Sequence, residues 1–152
     1  MANSQDLSAL RAGVSAWNAW RSDHGDAYLD LSDIDLTARD FPHSSGGVDD
    51  PYDAYLERIV FRRTNLARTR IIGMYIKDAD FSDANLKEAD LKHSRFVHVN
   101  FDRANLSGAD LRGTELVESD ISDAILEGAR LEGATIDGRS LEAVREAQRD
   151  AL

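Results

Sequence analysis

Large apolar residues recur in this chain at a strict interval of five. From Leu56 to Leu141 the series is unbroken: eighteen positions, all Leu, Ile or Phe, with the same frame earlier at Leu31, Leu36 and Phe41. A helix buries a face every 3.6 residues and a strand every 2, so neither yields a five. A short fixed period marks a solenoid, one small unit stacked on copies of itself. The pattern predicts a single domain: a helical cap over 1–28, first repeats over 29–41, a loop interruption over 42–55, regular repeats over 56–141 and a C-terminal helix over 142–152.

Two further positions repeat with the apolar centre. Two residues before it stands a small side chain, as at Ala79, Ala84, Ala89, Ser94, Ala104, Ala109, Thr114 and Ala124. One residue before it is usually Asp or Asn, as at Asp80, Asn85, Asp90, Asn100, Asn105, Asp110 and Asp120. The units ADFSD, ANLKE, ADLKH, ANLSG and ADLRG resemble the pentapeptide-repeat family, whose motif is A(D/N)LXX. The resemblance covers roughly residues 29–141 with a break near 42–53. It implies an all-β solenoid, a right-handed four-sided β-helix in which each pentapeptide forms one side. About five coils are expected.

Four sides of five residues bring positions twenty apart into one column. The expected core columns are Phe41, Phe61, Phe81, Phe101; Leu66, Leu86, Leu106, Leu126; and Ile71, Leu91, Leu111, Leu131. Aromatic stacks and leucine ladders pack well at a strand spacing of about 4.8 Å. Outward columns alternate in charge, as in Arg63, Asp83, Arg103, Asp123 and, nearly, in Arg58, Asp78, His98, Glu118. Asn65, Asn85 and Asn105 form a candidate amide ladder.

The ends read as caps. Residues 4–21 predict one helix with Ser4 as N-cap, Asp6 in its first turn and an apolar stripe of Leu7, Leu10, Val14 and Trp17. The stretch GVSAWNAWR followed by LDLSDIDL is similar to the lead-in of many bacterial pentapeptide-repeat proteins. It is expected to cover the open end of the β-helix, which otherwise exposes core and strand edges. Trp20 lies off the stripe and is a candidate interaction anchor. Between the early and later repeats, HSSGGVDDPYD keeps the frame of five, because Phe41 and Leu56 are fifteen residues apart. It reads as a loop replacing two sides of a coil or as a ten-residue insertion, and the phenylalanine column favours the first. Asp49, Asp50 and Tyr52 in this loop, with Asp110 and Asp120 on the repeats, are the other candidate interaction residues. At the far end Ser140 is the expected N-cap of the last helix, with Leu141 and Val144 on its inner face.

Composition narrows the function. The chain has no cysteine, and therefore no disulfide or thiolate metal site. No signal peptide or membrane-length apolar stretch is apparent, so a cytoplasmic protein is expected. The net charge of −10 disfavours direct nucleic-acid binding and suits basic partners. Five arginines, Arg58, Arg62, Arg63, Arg68 and Arg70, interrupt it, and are expected to spread over several sides and pair with Asp78, Asp83 and Asp90 one coil up. His24, His43, His93 and His98 show no ligand spacing, and the carboxylates follow from the repeat itself. Gly108, Gly113, Gly128 and Gly133 share one outward position and read as corners. No catalytic residue, cofactor or metal site is expected.

The leading expectation is a non-enzymatic module that presents a rigid acidic surface to a protein partner. The resemblance also implies a sharper alternative, since some family members mimic DNA and bind DNA gyrase or topoisomerase IV. A third reading is a structural module serving an effector encoded nearby. A monomer is expected over the end-to-end dimer known in the family.

Overall fold

The computed structural model describes residues 4–25, 27–37 and 54–150. Two helices, α1 (Ser4–Arg11) and α2 (Val14–His24), precede the strands β1 (Leu29–Asp30), β2 (Ala54–Glu57), β3 (Thr64–Asn65), β4 (Met74–Lys77), β5 (Arg95–Val97), β6 (Glu115–Val117), β7 (Thr135–Ile136) and β8 (Arg139–Ser140); α3 (Leu141–Asp150) follows. The fold is a four-sided β-solenoid. Its regular part is about four turns, Phe61 to Ile136, in which Val60 pairs with Asp80, Asp80 with Asn100 and Asn100 with Asp120, all parallel and twenty apart. One side is a continuous sheet, β2-β4-β5-β6-β7, with Tyr55 on Tyr75, Tyr75 on Arg95 and Arg95 on Glu115.

Each side is built the same way. The central residue and the small residue two before it point inward, so Phe81, Ala84, Leu86, Ala89 and Leu91 are all closed to solvent. The corner is a turn: the Ala84 amide donates to the Phe81 carbonyl at 3.0 Å, with Asp83 at a φ of 55°. Positive φ at that position is what such a turn requires, and Gly108 and Gly113 supply it without strain. The Asp or Asn before the centre caps the same corner. Its carboxylate or amide oxygen accepts the amide two residues on, as Asp80 does from Ser82 (2.9 Å), Asn100 from Asp102 (2.8 Å) and Asn105 from Ser107 (3.0 Å). This Asx contact explains the repeated Asp/Asn in physical terms.

The aromatic column is present: Phe61–Phe81 and Phe81–Phe101 centroids are each 5.2 Å apart, with Phe96 edge-on to Phe101 at 5.3 Å. Phe41 lies outside the described residues, and the place beneath Phe61 belongs to Trp17, 5.7 Å away. The first coil is therefore not in the expected register. Leu29 and Asp30 pair with Thr64 and Asn65, and Asp35 with Arg70, so Leu31 lies under Leu66 and Leu36 under Ile71. Leu56 lies under Ile76. Leu36 and Leu56 thus occupy adjacent sides although twenty residues separate them, and neither arrangement expected for the loop holds. Residues 38–53 lie outside the described ones. Four full turns stand on this partial first one, in keeping with the expected solenoid of about five coils.

The expected single helix over 4–21 is two. Gly13, at a φ of 107°, leaves the helical region and α2 restarts after it, the Trp17 amide donating to the Gly13 carbonyl at 2.9 Å. The side chains of Ser4 and Asp6 lie outside the described ones. Within α2, polar side chains act as a substitute strand. Trp17 Nε1 donates to the Val60 carbonyl (2.7 Å); Asn18 donates to the Arg58 carbonyl (2.7 Å) and accepts the Val60 amide (3.0 Å). Arg21, almost fully buried, donates to the carbonyls of Ala27 (2.8 Å) and Arg62. At the other end Asp137 and Gly138, both at positive φ, form the tight turn that folds β8 back antiparallel on β7. Ser140 Oγ accepts the Ala143 amide at 3.4 Å, the N-cap of α3, and Leu141 is buried.

Because Asn18 and Arg21 satisfy buried backbone groups, Asn18→Ala and Arg21→Ala are each expected to cost about 1–3 kcal/mol. Ser22→Ala, at an exposed neighbour, serves as the neutral control. Urea unfolding checks this, and midpoints for both variants equal to wild type would contradict the capping role.

Candidate interaction surface

The outward positions carry ladders of paired charge. Arg103 grips Asp83 one turn below with two bonds, 2.8 and 3.0 Å, and also contacts Asp102. Arg95 meets Glu115 at 3.1 Å. His98 bridges its column, Nδ1 at 3.0 Å from Asp78 and Nε2 at 3.1 Å from Glu118. Asn85 donates to Asn65 (2.9 Å), and Asn65 donates to Asp30 (3.0 Å), so the amide ladder starts on a carboxylate. His93 is exposed, as its outward position suggests. Its ring leans over Gly113, where a Cβ would displace it.

Of the arginine band, Arg62 and Arg63 act on Asp83 one turn up as expected, while Arg68 and Arg70 pair in the opposite direction. Arg68 makes two bonds to Asp33 (2.6 and 2.8 Å) and Arg70 an ion pair with Asp35 (3.7 Å), both in the partial turn below. Arg58 lies 3.8 Å from Glu57. The cause is the register: the first coil places Asp33 and Asp35 directly beneath them. The five arginines occupy all four sides and form no basic strip.

The candidate residues take different places. Trp20 is half-buried, stacked on Trp17 (5.6 Å) and on His24 (3.9 Å), and extends the aromatic column outward. Asp49, Asp50 and Tyr52 lie outside the described residues. Asp120 is exposed and accepts the Ser122 amide at 2.9 Å; that bond holds its carboxyl below the usual range. Asp110 is engaged on every side. It accepts Arg112 Nε (2.9 Å), Arg112 Nη2 (2.7 Å) and the Arg112 amide (3.3 Å), with Arg130 at 3.6 Å, and its side chain is 17% exposed. The Arg112 guanidinium lowers its carboxyl to about 2, although partial burial acts the other way.

These contacts change what the charge means. On the side of Ile71 the acids Asp35, Asp90, Asp110 and Glu132 are matched by Arg70, Lys92, Arg112 and Arg130. The chain is acidic overall, yet this side is balanced. Sequence reasoning missed Asn18 and Arg21; the available signal was their spacing with Trp17 on one face of α2. Among the described residues no group of three or more His, Asp or Glu could hold a metal ion, and no helix is long and apolar enough to cross a membrane. Two grooves are open, one between α2 and the first turn (Asn18, Arg21, Arg62, Asp80), one between α3 and the last turn.

Asp110 has a lowered folded pKa, so its stabilisation is complete above the unfolded value of about 3.9 and is lost as pH falls toward about 2. Asp110→Asn should lower the melting temperature at pH 6, and the gap to wild type should narrow between about pH 4.5 and 2. Thermal melts across this range check it; a gap that does not change with pH would show that the ion pair contributes nothing.

The pentapeptide-repeat family model matches residues 79–116 and 100–138, with eight copies. No curated protein matches the chain. Among solved structures, a pentapeptide repeat protein from the Arabidopsis thaliana thylakoid lumen is 26% identical, with a TM-score of 0.60 over 81% of this chain and 73% of that one. QnrB1, a plasmid-mediated fluoroquinolone resistance protein, is 18% identical, with a TM-score of 0.52 over 71% of this chain and 51% of that one, a likeness of fold. The repeat, the twenty-residue register and these matches agree: residues 79–138 are pentapeptide repeats, and the solenoid is of the kind seen in pentapeptide-repeat proteins.

Proposed function

We propose that this chain is a non-enzymatic interaction module that binds a protein partner through its outer sides. The observation that carries this reading is the filled interior. Phe61, Leu66, Ile71, Ile76 and their equivalents in the next two turns are all closed to solvent, which leaves no room within these turns for a ligand. The lowered carboxyls favour the charged form and are not poised for proton transfer near neutral pH. A preformed, rigid surface loses little entropy on binding. The sheet side suits a partner best: Tyr55 and Tyr75 stack at 5.0 Å beside Arg95, with half-buried Val117 along the same side. Tyrosine and arginine are enriched at binding hot spots.

Affinity capture from extracts of the native host tests this. Wild type should retain a specific protein, and Tyr75→Ala with Arg95→Ala should release it while the melting temperature shows the fold intact. Retention of nothing specific would contradict the proposal.

The net charge of −10 supports a second reading, occupancy of the DNA-binding saddle of gyrase or topoisomerase IV. The matched charges on the Ile71 side and the arginines of the first turn oppose it. A supercoiling assay with and without a fluoroquinolone is expected to show no effect at low micromolar protein. Inhibition, abolished by neutralising acids on one side, would replace the first reading with this one.

A further inference from the structure

The two ends of the solenoid are closed differently. At the lower end α2 covers the edge beneath Phe61, and the segments of Leu31 and Leu36 cover those beneath Leu66 and Ile71. At the upper end β8 and α3 close the side of Ile136, where the Leu141 amide donates to the Ala134 carbonyl at 2.9 Å. On the other three sides, those of Ile121, Leu126 and Leu131, the register stops. In the turn below, Phe101 donates upward to Asp120 (2.7 Å), Leu106 to Ile125 (2.8 Å) and Gly108 to Glu127 (2.9 Å). The corresponding amides of Ile121, Leu126 and Gly128 have no hydrogen-bond partner among the described residues.

The side chains at this edge differ from those below. Ala124 and Leu126 are half-buried, where Ala104 and Leu106 are closed to solvent. Ile125 is 49% exposed and stands where Asn65, Asn85 and Asn105 stand in the earlier turns. Ile121, Ala124 and Leu126 line a groove of about 640 Å³ on one wall, with Asp123 and Glu127 beside them, and Arg145 and Arg149 of α3 line the other. Neither arginine has an ion pair among the described residues, whereas Arg68, Arg95, Arg103 and Arg112 are each paired.

Unpaired amides beside exposed apolar side chains form a template for an added strand. We infer that this edge accepts an extended segment of another protein, laid as a strand across the Ile121 and Leu126 sides. The architecture specifies its chemistry. Two large apolar residues five apart cover Ile121 and Leu126, a small residue stands two before each, and a residue tolerant of positive φ turns the corner. Carboxylates on its outward positions meet Arg145 and Arg149. The inference rests on the proposed interaction role and assigns it a second site, distinct from the sheet side.

The probe is a fluorescein-labelled peptide ADFSDANLKEADLKH, copying residues 79–93, titrated with the full chain and followed by fluorescence polarisation. Saturable binding at about 100 µM or tighter is expected, with none for a scrambled peptide. Arg145→Glu with Arg149→Glu, both on the helix surface, should weaken it at least tenfold, as should Ile125→Asp. Amide shifts in a ¹⁵N spectrum should centre on Ile121–Gly128. Absence of binding at millimolar protein, or shifts centred elsewhere, would overturn the inference. So would sedimentation showing a dimer whose contact occupies these amides, because the occupant would then be a second copy. If the peptide fails while host capture still depends on Tyr75 and Arg95, only the edge site is lost; if the peptide binds and capture finds nothing, only the sheet-side reading is.

Discussion

A parallel ladder without hairpins makes every turn of this protein depend on the turns above and below it. The amides and carbonyls of one pentapeptide find local partners only in the corner bond and the Asx contact, so the rest must meet those of the next turn twenty residues away. The other features serve that stacking. The large central residue and the small residue before it fill a narrow core at strand spacing. The Asx contact and the positive φ turn the chain sharply enough to close four sides. Outward arginines and carboxylates fall on one another because the ladder leaves them no other vertical neighbour.

The same dependence makes the ends the costly part of the fold, and this chain treats them unequally. At the bottom, a helix whose Trp17, Asn18 and Arg21 reach backbone atoms stands in for a strand. At the top, one side receives a true hairpin and the sides of Ile121 and Leu126 receive none. Charge follows the same logic. Exposed ion pairs of this type contribute little stability individually, about 0–1 kcal/mol. Their larger effect is to neutralise the surface locally, so that a strongly acidic composition yields sides of mixed sign.

How much of this was legible depended on whether a feature repeats. The interval of five, the aromatic column from Phe61 to Phe101, the Arg103–Asp83 pairing and the corner role of Gly108 follow from spacing alone. The register of the first coil does not. The stretch between Leu36 and Leu56 is a multiple of five, so the frame survives it and cannot reveal which side the chain resumes. The displaced register of Leu31 and Leu36 and the downward pairing of Arg68 and Arg70 both descend from that ambiguity. Gly13 was hidden similarly, because the apolar spacing from Leu10 to Trp17 runs across it unbroken. Asn18 and Arg21 belong to no period of five; their place beside Trp17 on one face of α2 is the only sequence signal of their use. The candidate carboxylates were chosen for charge, but Asp110 turned out to be engaged with Arg112 and Arg130, which spacing alone did not disclose.

Native-state hydrogen exchange of the unliganded protein tests the unequal ends most directly. The Val60 amide, held by Asn18, and the Arg70 amide, held by the Ile34 carbonyl at 2.9 Å, should exchange nearly as slowly as the central amides of Leu86 and Leu91. The amides of Ile121, Leu126 and Gly128 should exchange orders of magnitude faster, as groups open to solvent do. Rapid exchange at Val60 and Arg70, or strong protection at Ile121 and Leu126, would contradict the account.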